Sequence, residues 1–225
     1  MGLKDTKLAI FDMDGLLIDS ERLIAQQWLK LADRYGLDRD KVWASCLACL
    51  GVTQEKVKET CLQFLGQDIP YEQYTAEVAE GIRRDLNDGP MPVKKGAFEL
   101  LEYCRAIGLP AVVASSNRKR VVQDLLRGNG LLPYFEEVFG GESATRSKPH
   151  PDLFLNVAAS MGVDPASCLV LEDSYNGIRA ARAAGMMPVM VPDLLPPTEE
   201  IRTLYIACAK DLAAVAELLR EARYS

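Results

Sequence analysis

Leu8-Ala9-Ile10-Phe11 is an unbroken apolar run that ends in Asp12-Met13-Asp14-Gly15-Leu16. Four apolar residues in a row are too few for a helix and lack the alternation of a half-solvated strand. The run therefore predicts a strand buried on both faces. The periodicity then changes. Between residues 20 and about 35, Leu23, Ala25, Trp28, Leu29, Leu31 and Ala32 recur at helical spacing. Helical stretches follow at about residues 40–50, 53–65 and 71–86, punctuated by Gly51, the segment 66–70 and Asn87-Asp88-Gly89-Pro90. No strand pattern occurs between Leu17 and Pro92, so this block is expected to be all helical.

From Val93 onward, helix and strand patterns alternate. Helices are predicted at residues 96–107, 118–127, 152–161, 175–184 and 212–222, with Asn117 as the expected cap of the second. Between them lie short apolar strands at residues 111–114, 137–139, 169–171 and 188–191. Such alternation implies parallel pairing through right-handed crossovers. The expected fold is α/β, a doubly wound Rossmann-like parallel sheet formed by residues 1–16 and 93–225. An all-helical domain, residues 17–92, is inserted after the first strand.

Composition narrows the partners. Of 225 residues, 26 are Lys or Arg and 32 are Asp or Glu, for a net charge of −6. That argues against nucleic acid or an anionic membrane, both of which want a basic face. A small anionic substrate needs only a local positive pocket. No apolar run is long enough to cross a bilayer. Cys46, Cys49, Cys61, Cys104, Cys168 and Cys208 are scattered through helical or strand-like segments. Cys46 and Cys49 form a CxxC, but a zinc site would want a second pair or histidines, and His150 is the only histidine. All six are expected to be buried free thiols of a reducing cytoplasm. Ser-His-Asp and Cys-His mechanisms are left with His150 alone, which sits between two prolines.

The candidate chemistry lies where the strands end. In open α/β sheets, ligands bind beyond the carboxyl ends of the strands. The first strand ends in Asp12 and Asp14, the second in Ser115-Ser116-Asn117, and the fourth in Glu172-Asp173, while Lys148 precedes a helix. Buried carboxylates are costly unless paired, so Asp12 and Asp14 call for a cation, a proton or a reaction. Asp12, Asp14 and Asp173 are hard oxygen donors suited to Mg²⁺. Ser115, Ser116 and the free amides of the following helix would form an anion cradle. Lys148 would offer a point charge to a phosphoryl oxygen.

Phe11-Asp12-Met13-Asp14-Gly15-Leu16-Leu17-Ile18-Asp19-Ser20, Val113-Ala114-Ser115-Ser116-Asn117, Lys148-Pro149-His150-Pro151-Asp152 and Leu171-Glu172-Asp173-Ser174 occur in that order. Together they resemble the haloacid dehalogenase superfamily, in particular its β-phosphoglucomutase-like sugar-phosphate phosphatases with a helical cap. The resemblance covers nearly the whole chain. It implies that Asp12 is a nucleophile forming an aspartyl-phosphate, and that Asp14 is general acid, then base. It implies phosphate binding by Ser115, with Ser116, Asn117 and Lys148 assisting. It implies Mg²⁺ held by Asp12, the Asp14 backbone carbonyl and Asp173, with Glu172 acting directly or through water. Residues 17–92 would be a cap closing over substrate.

The expected activity is hydrolysis of a small phosphate monoester, a sugar or polyol phosphate. A phosphomutase is the alternative. By resemblance, mutases carry Lys and Arg in the cap loop and a His soon after the first motif. Here the matching positions are Leu50 and Gln54, flanking Gly51, and residues 20–28 contain no His. Leu50, Gly51 and Gln54 are the expected specificity residues. A dehalogenase would have no use for Asp14. A phosphonatase would need a cap lysine, and Lys30, Lys41, Lys56 and Lys58 fit solvated helix faces. A non-catalytic binding protein should lack one of Asp12, Asp14, Lys148 or Asp173, and all are present. A monomer in the cytoplasm is expected.

Overall fold

The computed structural model describes residues 2–50, 52, 54–87 and 90–224. Its centre is a six-stranded sheet built from β1 (Leu8–Phe11), β2 (Ala111–Ala114), β3 (Glu137–Phe139), β4 (Cys168–Glu172), β5 (Met187–Met190) and β6 (Ala207–Cys208). Every pairing is parallel and the order is β3-β2-β1-β4-β5-β6. β1 therefore lies centrally, where the strand order reverses, and a doubly wound sheet opens its binding crevice at that point.

Strand side chains alternate between faces, which explains why an uninterrupted apolar run is required. Ala9 and Phe11 of β1 join one cluster with Val113, Leu169 and Leu171. That face is covered by α5 (Ala97–Ala106), α6 (Lys119–Gly128) and α10 (Leu212–Tyr224), through Leu100, Leu101, Val122, Leu126, Val215 and Leu219. Leu8 and Ile10 face the other way, against Phe154 and Val157 of α7 (Asp152–Met161) and Ala180 and Ala181 of α8 (Tyr175–Ala183).

Between β1 and α5 run four helices, α1 (Ser20–Tyr35), α2 (Arg39–Ala48), α3 (Gln54–Leu65) and α4 (Tyr71–Asn87). They enclose a separate apolar cluster of Trp28, Leu31, Ala32, Val42, Cys61, Tyr74 and Val78. The two strands of chain that connect this bundle to the sheet layer pair with each other. Ile18 bridges Val93 in antiparallel fashion, Lys94 N donates to Leu17 O, and Asp19 N donates to Pro92 O, both at 2.9 Å. Leu17, Ile18 and Met91 pack in the sheet's own core, so the chain leaves that layer just beyond Ile18.

The helices and strands expected from periodicity are present, with ends shifted by one or two residues. Among the α-helices and strands, the short α9 (Glu199–Arg202) and the two-residue β6 had no counterpart in the pattern. The expectation that Asn117 caps α6 fails: the N-cap position belongs to Arg118 and carries no side-chain cap. The expectation of six buried thiols also needs correction. Cys61, Cys104 and Cys168 are buried, Cys46 and Cys49 are half-buried, and Cys208 on the edge strand β6 is exposed. No helix among the described residues is long and apolar enough to cross a membrane.

Candidate active site

Register places the first carboxylate. Phe11 is paired with Val113 on one side and Leu171 on the other, so Asp12 emerges between the ends of β2 and β4. Its amide still donates to Leu171 O at 3.1 Å. The chain then folds back over Met13, Leu16, Leu17 and Ile18, all fully buried. Gly15 has a φ of 78°, a conformation that glycine adopts without strain. It also abuts Asp173: a Cβ here would run into the Asp173 carboxylate. Gly177 has the same relation to the carboxylate of Glu172.

Lys148, 4% exposed, joins the two sides of the site. Its Nζ donates to Asp12 Oδ1 at 2.6 Å, to Glu172 Oε1 at 2.5 Å and to Ala114 O at 3.3 Å. The ammonium also lies 5.0 Å from the centre of the Phe154 ring. Burial alone would lower its pKa, but Asp12 and Glu172 outweigh burial and hold it above the usual lysine value. Glu172, the last residue of β4, is fully buried and spends its other oxygen on Ser174, accepting from Ser174 N at 3.1 Å and Ser174 Oγ at 2.9 Å. Ser174 in turn caps α8, accepting from Gly177 N at 3.0 Å.

Asp14 is held by three donors from two segments. Ser20 Oγ, at the start of α1, donates to Oδ1 at 2.7 Å. Asn117 Nδ2 donates to Oδ2 at 2.8 Å, and Ser115 Oγ approaches the same atom at 3.4 Å. Asn117, freed from capping α6, thus orients a carboxylate of the site. The expected anion cradle is narrower than the sequence suggested. Asn117 N goes to Ser115 Oγ at 3.1 Å, and Lys119 N, at the start of α6, is taken by the Glu142 carboxylate.

Asp12, Glu172 and Asp173 each bring one carboxylate oxygen within 4.8 Å of the others. Burial pushes the Asp12 carboxyl up to about 7, against Lys148 and with help from Glu172 and Asp14. Burial, then Glu172 and Asp12, raise Asp173 well above the usual carboxylate range. Three buried carboxylates facing one ammonium carry two negative charges in excess, which is what one divalent cation cancels. The all-oxygen donor set fits a hard divalent metal.

Over this floor opens a cavity of about 780 Å³. Asp12, Asp14, Ser116, Asn117, Lys148 and Asp173 line its sheet side. Ile24, Trp28, Val42, Cys46, Cys49, Leu50 and Cys61 line the helical side. Of the expected specificity residues, Leu50 does reach the cavity. Gly51 lies outside the described residues, as does the side chain of Gln54. Glu21 lines the cavity from α1, and burial, then Asp14, Asp12 and Asp193, push its carboxyl up to about 8.

No role was expected of Ser174 or Asp193, and Ser20, which closes the first motif, was not expected to hold Asp14. Asp193 had no signal. It accepts from Lys94 Nζ at 2.6 Å and Arg22 Nη2 at 2.9 Å, tying the loop after β5 to the linker and to α1.

A doubly wound sheet with carboxylates and a buried lysine at its switch point has a donor set that fits a metal site, and comparison with known proteins specifies the class. Residues 6–185 match the haloacid dehalogenase-like hydrolase family, to which this chain belongs. It is 33% identical over 184 residues to hexitol phosphatase B of Escherichia coli (strain K12), covering 82% of each chain. It is 30% identical over 193 residues to the β-phosphoglucomutase of Bacillus subtilis (strain 168), covering 82% of this chain and 83% of that one. Among solved structures, it resembles a HAD family hydrolase from Deinococcus radiodurans R1 with bound phosphate and sodium, at 26% identity and a TM-score of 0.78, covering 97% of both chains. The family and its phosphatase-named members make the protein a phosphoric monoester hydrolase.

Proposed function

We propose that the protein hydrolyses a small sugar or polyol phosphate through an aspartyl-phosphate on Asp12, with Mg²⁺ as its metal. The observation that carries this reading is the position of Lys148. It binds one oxygen of Asp12 and leaves Oδ2 to attack phosphorus, while Glu172 holds the ammonium in place. Asp14, oriented by Ser20, Ser115 and Asn117, gives its proton to the leaving alcohol and then takes one from the water that cleaves the acyl phosphate. Ser115, Ser116, Asn117 and Lys148 bind the transferring phosphoryl group. A divalent cation bound by Asp12, Asp173 and Glu172 would neutralise charge on the phosphoryl oxygens.

Residues 17–92 act as the cap. The paired linkers at Leu17–Asp19 and Pro92–Lys94 give it a two-stranded hinge, and closure brings Trp28 and Leu50 over the leaving group while excluding water. The named activity of the hexitol phosphatase relative supports the substrate class. The uncharged Leu50 supports hydrolysis over phosphomutase chemistry.

The test is Mg²⁺-dependent release of inorganic phosphate from an aryl phosphate and from a panel of hexose and hexitol phosphates. The Asp12→Asn variant should release none. Undiminished release by that variant would refute the mechanism. Conversion of a hexose 1-phosphate to its 6-phosphate without free phosphate would establish a mutase instead.

A further inference from the structure

We propose that Glu21 is the residue that selects the leaving alcohol: hydroxyl groups neighbouring the phosphoester donate to its carboxyl, so that polyhydroxylated alcohols are taken in preference to plain alkyl ones. The assignment rests on the phosphatase reading and names the group behind its substrate class. Four acids line the cavity among the described residues, Asp12, Asp14, Asp173 and Glu21. Asp12 is held by Lys148, Asp14 by Ser20 and Asn117, and Asp173 belongs to the cluster that fits a metal. Glu21 alone has no task in the mechanism.

Its place follows from the start of α1. Ser20 Oγ donates to Asp14 Oδ1 at 2.7 Å, which sets the first turn of the helix beside the general acid. Glu21 is the next residue. Glu21, Ile24 and Trp28 are spaced i, i+3 and i+7, on one face of the helix, and all three line the cavity. Val42, Leu50 and Leu65, from α2, α3 and the chain between them, extend the same wall with apolar side chains. Ser45 also lines it, but its buried hydroxyl is committed to Cys61 Sγ at 3.4 Å. Among the described residues, Glu21 is therefore the one charged group that the helical wall offers to a ligand. The other charged side chain outside the reaction centre, Arg118, is exposed and comes from the sheet side.

The neighbours of Glu21 leave it unpaired. Arg22 turns away: its Nη2 donates to Asp193 Oδ1 at 2.9 Å, and its Nε lies 3.4 Å from Asp19 Oδ2. The charges that act on Glu21, those of Asp14, Asp12 and Asp193, are all acidic. Burial is the first cause that lifts its carboxyl, to about 8, so bulk water does not satisfy the group. A polar group desolvated without a partner costs stability. A carboxyl kept at that cost, beside the acid that protonates the ester oxygen, is placed to be satisfied by the ligand. An alcohol with hydroxyls next to its ester carbon brings donors to this spot. An alkyl chain brings none and strips the carboxyl of what water it has.

The experiment measures Mg²⁺-dependent phosphate release from a hexitol 6-phosphate and from n-hexyl phosphate, an ester of the same chain length with no other hydroxyl. The ratio of the two kcat/KM values should favour the hexitol ester in the wild type and fall by roughly 10- to 100-fold in Glu21→Leu. Arg118→Ala should keep the ratio. A ratio that stays unchanged in Glu21→Leu, or falls as far in Arg118→Ala, overturns the assignment. Thermal unfolding of Glu21→Leu separates recognition from support of the fold. Its Tm should match or exceed that of the wild type, because an apolar side chain joins an apolar wall. A lower Tm makes Glu21 a structural group and overturns its assignment to the ligand. Release from both esters with an unchanged ratio removes this assignment and leaves the phosphatase reading standing. Release from neither by the wild type overturns that reading, and the assignment with it.

Discussion

Asp12→Asn should change the stability of the metal-free protein in a pH-dependent way. Burial, with Glu172 and Asp14, raises the Asp12 carboxyl from 3.8 to about 7 even beside Lys148. A folded-state pKa above the unfolded value means that stability is full below about 3.8, erodes as pH rises toward about 7, and is flat above. At roughly 1.36 kcal/mol per unit, the full loss is about 4 kcal/mol, of which about 2 kcal/mol falls between about pH 5.5 and about pH 8. Asn cannot ionise, so the variant escapes this loss. It gives up a charge-assisted bond to Lys148, but that ammonium keeps Glu172. The variant should therefore gain about 2 kcal/mol on wild type between those two pH values, roughly 4–8 °C in Tm for a chain of this size. Thermal unfolding of both proteins in EDTA at the two pH values measures it. A difference that stays constant with pH, or moves the other way, refutes the reasoning that Asp12 is a proton-holding member of an under-neutralised cluster.

Lys148→Ala should abolish phosphate release and cost about 3–5 kcal/mol in denaturant unfolding near neutral pH, because it leaves two buried carboxyl groups without their cation. Gly15→Ala should weaken divalent-metal affinity by roughly 10–100-fold in calorimetry while the protein still folds, because the new methyl group displaces Asp173. Phe154→Ala should cost about 3–5 kcal/mol by urea unfolding, since the ring is fully buried in the layer beneath Lys148. Asp193→Ala should lower stability by about 1–3 kcal/mol and raise cap mobility in hydrogen exchange at residues 17–24, because Lys94 and Arg22 lose their shared buried partner.

The elements that periodicity could show are those long enough to repeat it. The helical runs and β1 to β5 carry at least one full period of apolar positions, whereas β6 has two residues and α9 four. Such short elements exist because neighbours position them: β6 pairs through Val189 and Met190 of β5. Asn117 was misread because an amide side chain before a helix fits two roles equally well. The choice between capping α6 and orienting Asp14 depends on the distance to a residue 103 positions away. Cys208 was misread because burial at a strand edge depends on what covers the edge.

The sequence alone determined the α/β alternation, the helical insertion and which residue types stand at each strand end, because these follow from local patterning and from residues adjacent along the chain. Only the tertiary structure decided how the charges are shared. Lys148 meets Asp12 across 136 positions and Glu172 across 24. Ser20, at the start of α1, reaches Asp14. No period in the chain encodes these contacts. They arise when parallel pairing of β1 between β2 and β4 brings distant loops to one sheet edge, where burial makes every carboxylate dependent on its neighbours.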